Sequence, residues 1–435
     1  NTSNNAIFLY TSFIYHYFPL FHYVVLAMPT SRFIVFFCAI SQLHMLVQSF
    51  GPGLFSSMSS SRLRSFLLTS ACSTAARAGT PRDLHLPTSF QRQAVVRDSL
   101  AETTSSGEFQ RRDSAWRNWI TQDKDAEFPP EAGRYHLYVA YACPWAHRTL
   151  ITRNLKGLQN VISFTAVHPV WQKTRPDQDS HRGWVFGNPD SPETLTNSEG
   201  RGGPFPSAYP GNDPEPFFGS KTIRDLYDRA GDQGGKYSVP ILWDKQKNTI
   251  VSNESSEIMR MLHTQFNSFT EKGDLDLYPE DLRESIDEVN SWIYDNLNNG
   301  VYRCGFAKSQ EAYDKAIADV TDAFDRVDKI LQRQRYIAGD RFTEADIRLF
   351  VTLVRFDEAY IVYFKCNTRS VASTPSILNY CREIYQMPGV KETVNMDQIK
   401  LHYYASHPEL NYYSIVPKGP DFLKLLEEPH NRDSL

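Results

Sequence analysis

The run Tyr138-Val139-Ala140-Tyr141-Ala142-Cys143-Pro144-Trp145-Ala146-His147-Arg148 sets a thiol at a strand-to-helix junction. A β-prone stretch ends in Cys143, and Pro144 follows at once. Proline suits the first position of a helix, where its missing N–H is not needed. Cys143 is therefore predicted at a helix N-cap, where free N–H groups and the positive dipole end lower a thiol's pKa. His147 and Arg148 are expected to add positive potential. The chemistry implied is nucleophilic attack by a thiolate at neutral pH. The competing reading of the same pattern is a core cysteine that behaves as a small hydrophobe.

Position 146, where a Cys-x-x-Cys motif carries its second thiol, holds Ala146. No resolving thiol adjoins Cys143, so the partner thiol is expected from outside, and the abundant small one in cells is glutathione. The cysteines (Cys38, Cys72, Cys143, Cys304, Cys366 and Cys381) are irregularly spaced. They form neither a disulfide framework nor a zinc pattern and suit a reducing compartment. A net charge of −4 in 435 residues gives no case for nucleic-acid binding.

Charge is unevenly spread. No Asp or Glu precedes Asp83, and the charged residues before it are Arg32, Arg62, Arg64, Arg77 and Arg82. Acid-free, Ser- and Arg-rich sequence is the signature of an organelle transit peptide, and Met58-Ser59-Ser60-Ser61-Arg62-Leu63-Arg64-Ser65-Phe66 reads as its start. An organellar location, chloroplast or mitochondrion, is expected if residues 1–83 are such a leader, and a cytoplasmic one otherwise. Residues 1–57, which begin with Asn1, are expected to lie at least partly outside the working protein. A membrane anchor is the rival, although the cleanest apolar run, Phe33 to Val47, is short for a spanning helix.

Residues 84–133 read as an extended N-terminal arm. A strand from Tyr135 to Tyr141, a helix from Pro144 to Leu155 and a strand from Val161 to Val167 make a βαβ unit with parallel pairing. Residues 168–220, rich in Pro, Gly, Asp and Ser, form a long loop of the kind that is either functional or disordered. A helix over 221–230, strands over 239–243 and 249–252, and a helix from about Ser255 follow. Together, 134–266 form an α/β, thioredoxin-like domain. The stripes Ile286, Val289, Ile293, Leu297 and Val320, Phe324, Val327, Leu331 then mark an all-α domain over 280–420, followed by a C-terminal tail. Thr343-Glu344-Ala345-Asp346 is predicted to cap one of its helices, with Phe342 and Ile347 as a hydrophobic staple.

A thioredoxin-like half with one active cysteine, followed by a helical half with a Thr-x-x-Asp cap, resembles the glutathione transferases (GST-like fold). Cys143-Pro144-Trp145-Ala146, Gly183-Trp184-Val185-Phe186, Ser238-Val239-Pro240-Ile241, Asn253-Glu254-Ser255-Ser256 and Asn299-Gly300-Val301-Tyr302-Arg303-Cys304-Gly305-Phe306 narrow the match. So do Ala345-Asp346-Ile347-Arg348, Arg355-Phe356-Asp357, Phe364-Lys365-Cys366-Asn367 and His402-Tyr403-Tyr404. Over roughly 95–420 they resemble the glutathionyl-hydroquinone reductases, the Xi class. One departure is Tyr363, where many relatives carry histidine, and it bears on substrate range.

The resemblance implies roles. Cys143 is the nucleophile. Val239-Pro240 is a cis-proline corner that offers Val239's backbone to glutathione; without the family it reads as an ordinary strand-start proline. Ser255 holds the γ-glutamyl carboxylate and Glu254 its ammonium, though both residues also suit a helix cap. Trp184 covers glutathione, or simply anchors the long loop. Lys236 pairs with a glutathione carboxylate, or is a solvated surface lysine. Tyr302 and Tyr403 serve the hydroquinone, with Tyr404, Tyr360 and Tyr363 in reserve, because phenolic hydroxyls stabilise charge on a ring oxygen.

The implied activity is reduction of glutathionyl-hydroquinones through a Cys143–glutathione mixed disulfide, with glutathione as co-substrate, no metal and a homodimeric assembly. The alternatives are an omega-like thiol transferase or dehydroascorbate reductase, and a non-catalytic glutathione-transferase-like binding protein.

Overall fold

The computed structural model describes residues 102–435; the leader, transit-peptide and anchor expectations fall outside them. Strand β1 (Tyr135–Val139) is buried along its whole length. Its aromatic and β-branched residues fit a strand covered on both faces. β1 pairs in parallel with β2 (Ser163–Ala166), Tyr138 opposite Thr165, across helix α1 (Pro144–Leu155). It pairs antiparallel with β3 (Ile241–Asp244), Leu137 opposite Leu242. β3 pairs antiparallel with β4 (Thr249–Ser252), so the sheet order is β2-β1-β3-β4. The predicted parallel βαβ unit and the following ββ hairpin are both present.

Helix α2 (Ile223–Arg229) opens with a capping box at Thr222 and Asp225. Helix α3 (Ser255–Thr264) follows β4 and packs against α1. Ala146 and Leu150 of α1 and Ile258, Met261 and Leu262 of α3 join Leu137, Val139, Trp243 and Ile250 in one core. Each large apolar side chain buried there contributes about 1.5–3 kcal/mol.

The helical half comprises α4 (Arg283–Ile293), α5 (Gly300–Gly305), α6 (Gln310–Leu331), α7 (Glu344–Arg355), α8 (Pro375–Gln386), α9 (Met396–Ala405) and α10 (Phe422–Leu426). The predicted apolar stripes on α4 and α6 lie in its core. α7 begins with the predicted cap: Thr343 Oγ1 accepts from the Ala345 N–H, and Asp346 Oδ2 accepts from the Thr343 N–H at 2.8 Å. Asp346 also accepts from the Ile337 N–H and the Tyr380 hydroxyl. Residues 421–435 fold back on the helices, burying Phe422, Leu426 and Arg432.

Two features of this scaffold reach the Cys143 end of α1. α1 packs on α7, which joins the two halves. π-helical turns, Tyr294–Asn298 and Phe356–Tyr360, follow α4 and α7; such turns often mark functional sites.

The long loop is ordered by pairing and docking. It forms two-residue ladders, Gln172–Lys173 with Arg182–Gly183 and Thr194–Leu195 with Phe205–Pro206. His402 Nδ1 donates to the Pro169 carbonyl at 2.9 Å, the Trp171 N–H donates to Ser406 Oγ, and Asn212 Nδ2 donates to Gln398 Oε1, tying the loop to α9.

Candidate active site

Cys143 stands at the N-cap of α1 with extended backbone angles (φ −75°, ψ 118°) and Pro144 in the first turn, as the strand–Cys–Pro–helix pattern predicts. Its carbonyl accepts the first helical bond, from the His147 N–H at 2.9 Å. The Val239–Pro240 bond is cis, and the Val239 carbonyl lies 3.5 Å from the sulfur, accepting from the thiol. Cys143 is half-buried, whereas the other cysteines among the described residues, Cys304, Cys366 and Cys381, are buried free thiols.

The thiol's electrostatics correct the sequence-based expectation of a depressed pKa. The residue reaches solvent, yet protein crowds its sulfur. Burial pushes the thiol above its ordinary value; the amides of Ala146 and Trp145 and the guanidiniums of Arg355 and Arg111 pull the other way without cancelling it. The nearby cations also differ from those expected. His147 is neutral, its pKa held far down by burial and by Arg355. Arg148 donates to Asn298 Oδ1 at 2.8 Å and, weakly, to Ser255 Oγ, with its guanidinium 4.5 Å from the Trp145 ring centroid.

Arg355 locks the turn that delivers Cys143. Its Nε donates to the Ala142 carbonyl (3.0 Å), its Nη2 to Tyr141 (2.8 Å), and its Nη1 to Val351 and to His147 Nδ1. The sequence placed Arg355 in a family motif and gave it no role; no local pattern says that an arginine at the end of α7 reaches the first turn of α1.

Of the predicted glutathione residues, Lys236, Val239 and Pro240 lie in the loop that enters β3, Glu254 and Ser255 lie where β4 passes into α3, and Trp184 lies in the long loop. Glu254 caps α3: its Oε1 accepts from the Ser256 N–H (3.1 Å) and hydroxyl (2.9 Å), and its Oε2 from the Ser114 hydroxyl (3.1 Å). Burial opposes its ionisation, but those hydrogen bonds and the charge of Arg148 outweigh it and hold the carboxyl below the usual range. Ser255 is buried at the first turn of α3. Lys236 is held by protein groups, an ion pair to Glu102 (2.9 Å) and the Arg112 carbonyl (2.9 Å), and burial lowers its pKa against the pull of Glu102. It lines a cleft of about 130 Å³ with Ser114, Asp232, Ser238 and Asn253, next to Glu254 in sequence. A larger hollow, about 610 Å³ around Arg153, Phe164 and Lys272, contains none of the candidate residues.

Trp184 is buried in a stack on His402, centroids 4.4 Å apart, with Trp171 edge-on to both rings. Both loop tryptophans therefore meet α9. Burial holds His402 neutral, its pKa lowered to about 3.

The tyrosines divide into three groups. The Tyr302 and Tyr403 hydroxyls are 2.7 Å apart, and Tyr403 reaches Tyr360 at 2.9 Å, forming one chain of phenols. Tyr363 bonds His407 Nδ1 at 2.6 Å instead. Tyr404 turns away and donates to the Glu358 carbonyl. Burial raises the pKa of Tyr302, Tyr403 and Tyr360, so each is a neutral donor, and a charged Cys143 would raise Tyr302 further. Trp145, two residues after Cys143, stacks on Tyr302 at 6.4 Å. Arg111, from the arm, lies over both rings. A half-buried thiol and a carboxylate, each at a helix start, and a line of phenols are thus gathered by α1, α3 and the helical half.

Residues 142–265 match the model of the glutathione S-transferase N-terminal domain, and residues 310–382 that of its C-terminal domain. The chain is 43% identical over 347 residues to the glutathionyl-hydroquinone reductase YqjG of Escherichia coli (strain K12), covering 78% of this chain and 97% of that protein. The glutathione-bound structure of YqjG superposes with a TM-score of 0.64, covering 73% of this chain and 96% of the other at 43% identity. The glutathione S-transferase Xi of Phanerochaete chrysosporium superposes with a TM-score of 0.66 at 44% identity, covering 76% and 97% of the two chains. The glutathione S-transferase omega-like 2 of Schizosaccharomyces pombe is 41% identical over 326 residues, covering 73% of this chain and 95% of that protein.

Proposed function

The chain belongs to the glutathionyl-hydroquinone reductases, the Xi class of the glutathione transferases, and from that membership we propose that it reduces glutathionyl-hydroquinones to free hydroquinones, with glutathione as co-substrate. The observation that carries the reading is the half-buried thiol of Cys143 at the N-cap of α1, with Ala146 in place of a resolving thiol.

Cys143, in the ionised form that Arg355 and Arg111 favour against its burial, attacks the glutathionyl sulfur of the conjugate in its keto form. A sulfur–sulfur bond forms as the carbon–sulfur bond breaks, and its electron pair enters the ring as an enolate. Protonation and aromatisation give the hydroquinone. A direct aryl carbanion would be far too basic to leave, so the ring oxygen must take the charge. Tyr302, backed by Tyr403 and Tyr360, supplies the hydrogen bond there. A second glutathione thiolate then attacks the mixed disulfide, releasing oxidised glutathione and Cys143 in a ping-pong cycle. Glu254 and Ser255 take the γ-glutamyl end of the tripeptide, and the Val239 backbone takes its cysteinyl unit. Lys236 serves the glycyl carboxylate only by exchanging its bond to Glu102.

Incubation with a glutathionylated hydroquinone and limiting glutathione, followed by mass analysis of the Cys143 peptide, tests the scheme. A glutathione adduct on Cys143, lost on adding more glutathione, is expected. Release of hydroquinone by a Cys143→Ala variant overturns it. A second reading, omega-like thiol transfer to dehydroascorbate, is favoured by the name of the Schizosaccharomyces relative and uses the same cysteine. It does not need Tyr302, so a Tyr302→Phe variant separates the two.

Two further proposals rest, in turn, on the sequence of the leader and on the family resemblance. The acid-free leader directs the protein to a chloroplast or mitochondrion, checked by import of the full chain into isolated organelles. The enzyme acts as a homodimer, checked by sedimentation; a monomer at working concentration removes that proposal.

A further inference from the structure

The N-terminal arm crosses the mouth of the site and is fastened to both halves of the protein. Glu102 pairs with Lys236, the Trp116 indole donates to Asp232 at 2.9 Å, and the Asn118 N–H donates to Val251 on β4 at 3.0 Å. On the helical side, the Lys308 N–H donates to Gly107, Ser309 Oγ donates to Ser106, and Lys315 pairs with Glu108. Between these anchors lies Arg111. Its Nε donates to Asn299 Oδ1 at 2.9 Å, and its guanidinium stands 4.9 Å from the Tyr302 ring centroid, 5.1 Å from Trp145 and 5.4 Å from Phe109.

The cations around the cleft are not equivalent. Arg355 is wholly buried and spends its donors on backbone carbonyls and His147. Arg148 is buried against Asn298 and Ser255, and Lys236 is paired. Arg111 is half-buried, and its Nη1 and Nη2 make no hydrogen bond with any described residue. Two free, planar donors on a partly desolvated cation form the group best suited to an anionic oxygen. They sit over the aromatic walls that flank Cys143.

Resting on the reductase reading above, we propose that Arg111 is a catalytic residue delivered by the arm: its free Nη donors bind the ring oxygen that becomes anionic as the hydroquinone leaves. From its place over the Trp145 ring, two residues along from Cys143, its charge acts on the attacking sulfur as well. The electron pair of the broken carbon–sulfur bond ends on that oxygen and is neutralised by a proton from solvent or the Tyr302–Tyr403 chain. Arg111 transfers no proton and acts by charge and hydrogen bonding. The titratable and charged groups sharing this field are Cys143, His147 and Arg148 on α1, Tyr294 in the first π-helical turn and Tyr302 on α5. Arg355 on α7, Lys236 and Glu254 beside the glutathione cleft, and Asp113 on the arm complete the set. Among the cations, Arg355 and Arg111 act most on the sulfur.

Full-length wild type, Arg111→Gln and Arg111→Lys are compared in two measurements. The first is the rate of Cys143 alkylation by iodoacetamide as a function of pH, read on the Cys143 peptide and needing no aryl substrate. Arg111→Gln is expected to slow alkylation at pH 7 by about 3- to 10-fold and move the midpoint upward, while Arg111→Lys keeps the wild-type profile. The second is turnover of a glutathionyl-hydroquinone, where Arg111→Gln is expected to lower kcat by about 100-fold and Arg111→Lys to recover part of it. An unchanged alkylation profile in Arg111→Gln overturns the thiolate role. Equal losses of kcat in Gln and Lys variants point to an undocked arm and overturn the ring-oxygen role. If wild type itself turns over no hydroquinone conjugate, the reductase reading fails and the ring-oxygen role with it, while the alkylation comparison still decides whether Arg111 governs the thiol.

Discussion

Arg355 Nη1 donates to His147 Nδ1 at 3.0 Å, tying the last turn of α7 to the first turn of α1. With Nδ1 accepting, the His147 proton lies on Nε2, which donates to Thr393 Oγ1 at 2.7 Å. The same guanidinium holds the Ala142 and Tyr141 carbonyls, so one side chain fixes the backbone on both sides of Cys143. Arg355→Met fills similar volume but orphans these buried carbonyls. It is expected to cost about 3–5 kcal/mol of stability and to slow Cys143 alkylation near neutrality, because a cation that favours the thiolate is lost. Denaturant titration and alkylation kinetics check both; a stable variant with an unchanged alkylation profile would show that Arg355 neither locks the turn nor feels the sulfur.

Tyr302 and Tyr404 make a matched comparison, since one is joined to the phenol chain and the other is spent on the Glu358 carbonyl. Tyr302→Phe is expected to lower kcat for a hydroquinone conjugate by about 100-fold, the usual effect of deleting one donor to a developing oxyanion. Tyr404→Phe should stay within a fewfold of wild type. Steady-state kinetics on both variants decides this, and equal losses would mean that the phenol chain has no special part.

Much of the fold was legible because it rests on local signals. The β-prone composition of β1, proline after Cys143, the Thr343 box and the stripes on α4 and α6 act within a few residues. The helix-start positions of Cys143, Glu254 and Ser255 were legible for the same reason, whereas the glutathione roles of Glu254 and Ser255 came only from the family resemblance. Arg111, Arg355 and His402 were not, because what they touch is set by how distant segments pack. The thiol's electrostatics misled for a related reason: a helix N-terminus is visible in sequence, whereas the protein crowding the sulfur is not. Gly305 shows the same limit. It stands in a family motif with no role legible from its neighbours, but a Cβ there would run into the Phe364 ring, which stacks on Tyr360 at 5.4 Å.

Glu254 does two jobs that a conservative substitution separates. Glutamine keeps an acceptor for the Ser256 N–H and so preserves most of the α3 cap, but it loses the charge that the tripeptide ammonium needs. Glu254→Gln is expected to weaken glutathione binding by about 10- to 100-fold, the range for losing one charge-assisted bond, while changing stability by less than about 1 kcal/mol. Isothermal titration with glutathione and a denaturant series provide the two readings. Wild-type affinity in the variant would move the ammonium site elsewhere.

His402 gives the site a defined response to acid. It is buried between Trp171, Trp184 and His407, with its pKa lowered to about 3 chiefly by desolvation, against an ordinary value of 6.5. A base whose pKa falls on folding must shed its proton to fold. Its stabilising contribution is therefore complete above the unfolded pKa and is lost as pH drops below about 6.5 toward the folded value. At pH 5 the neutral ring's requirement costs roughly 2 kcal/mol. His147 and His407, also lowered by burial, tilt the slope the same way. His402→Gln removes one titrating group while keeping a side chain able to donate to the Pro169 carbonyl. Its unfolding free energy should fall less steeply than wild type's between pH 6.5 and 4.5, by roughly 2 kcal/mol over that interval. Parallel curves for the two proteins would show that His402 is protonated as readily folded as unfolded, and that its stack on Trp184 excludes less water than the packing implies.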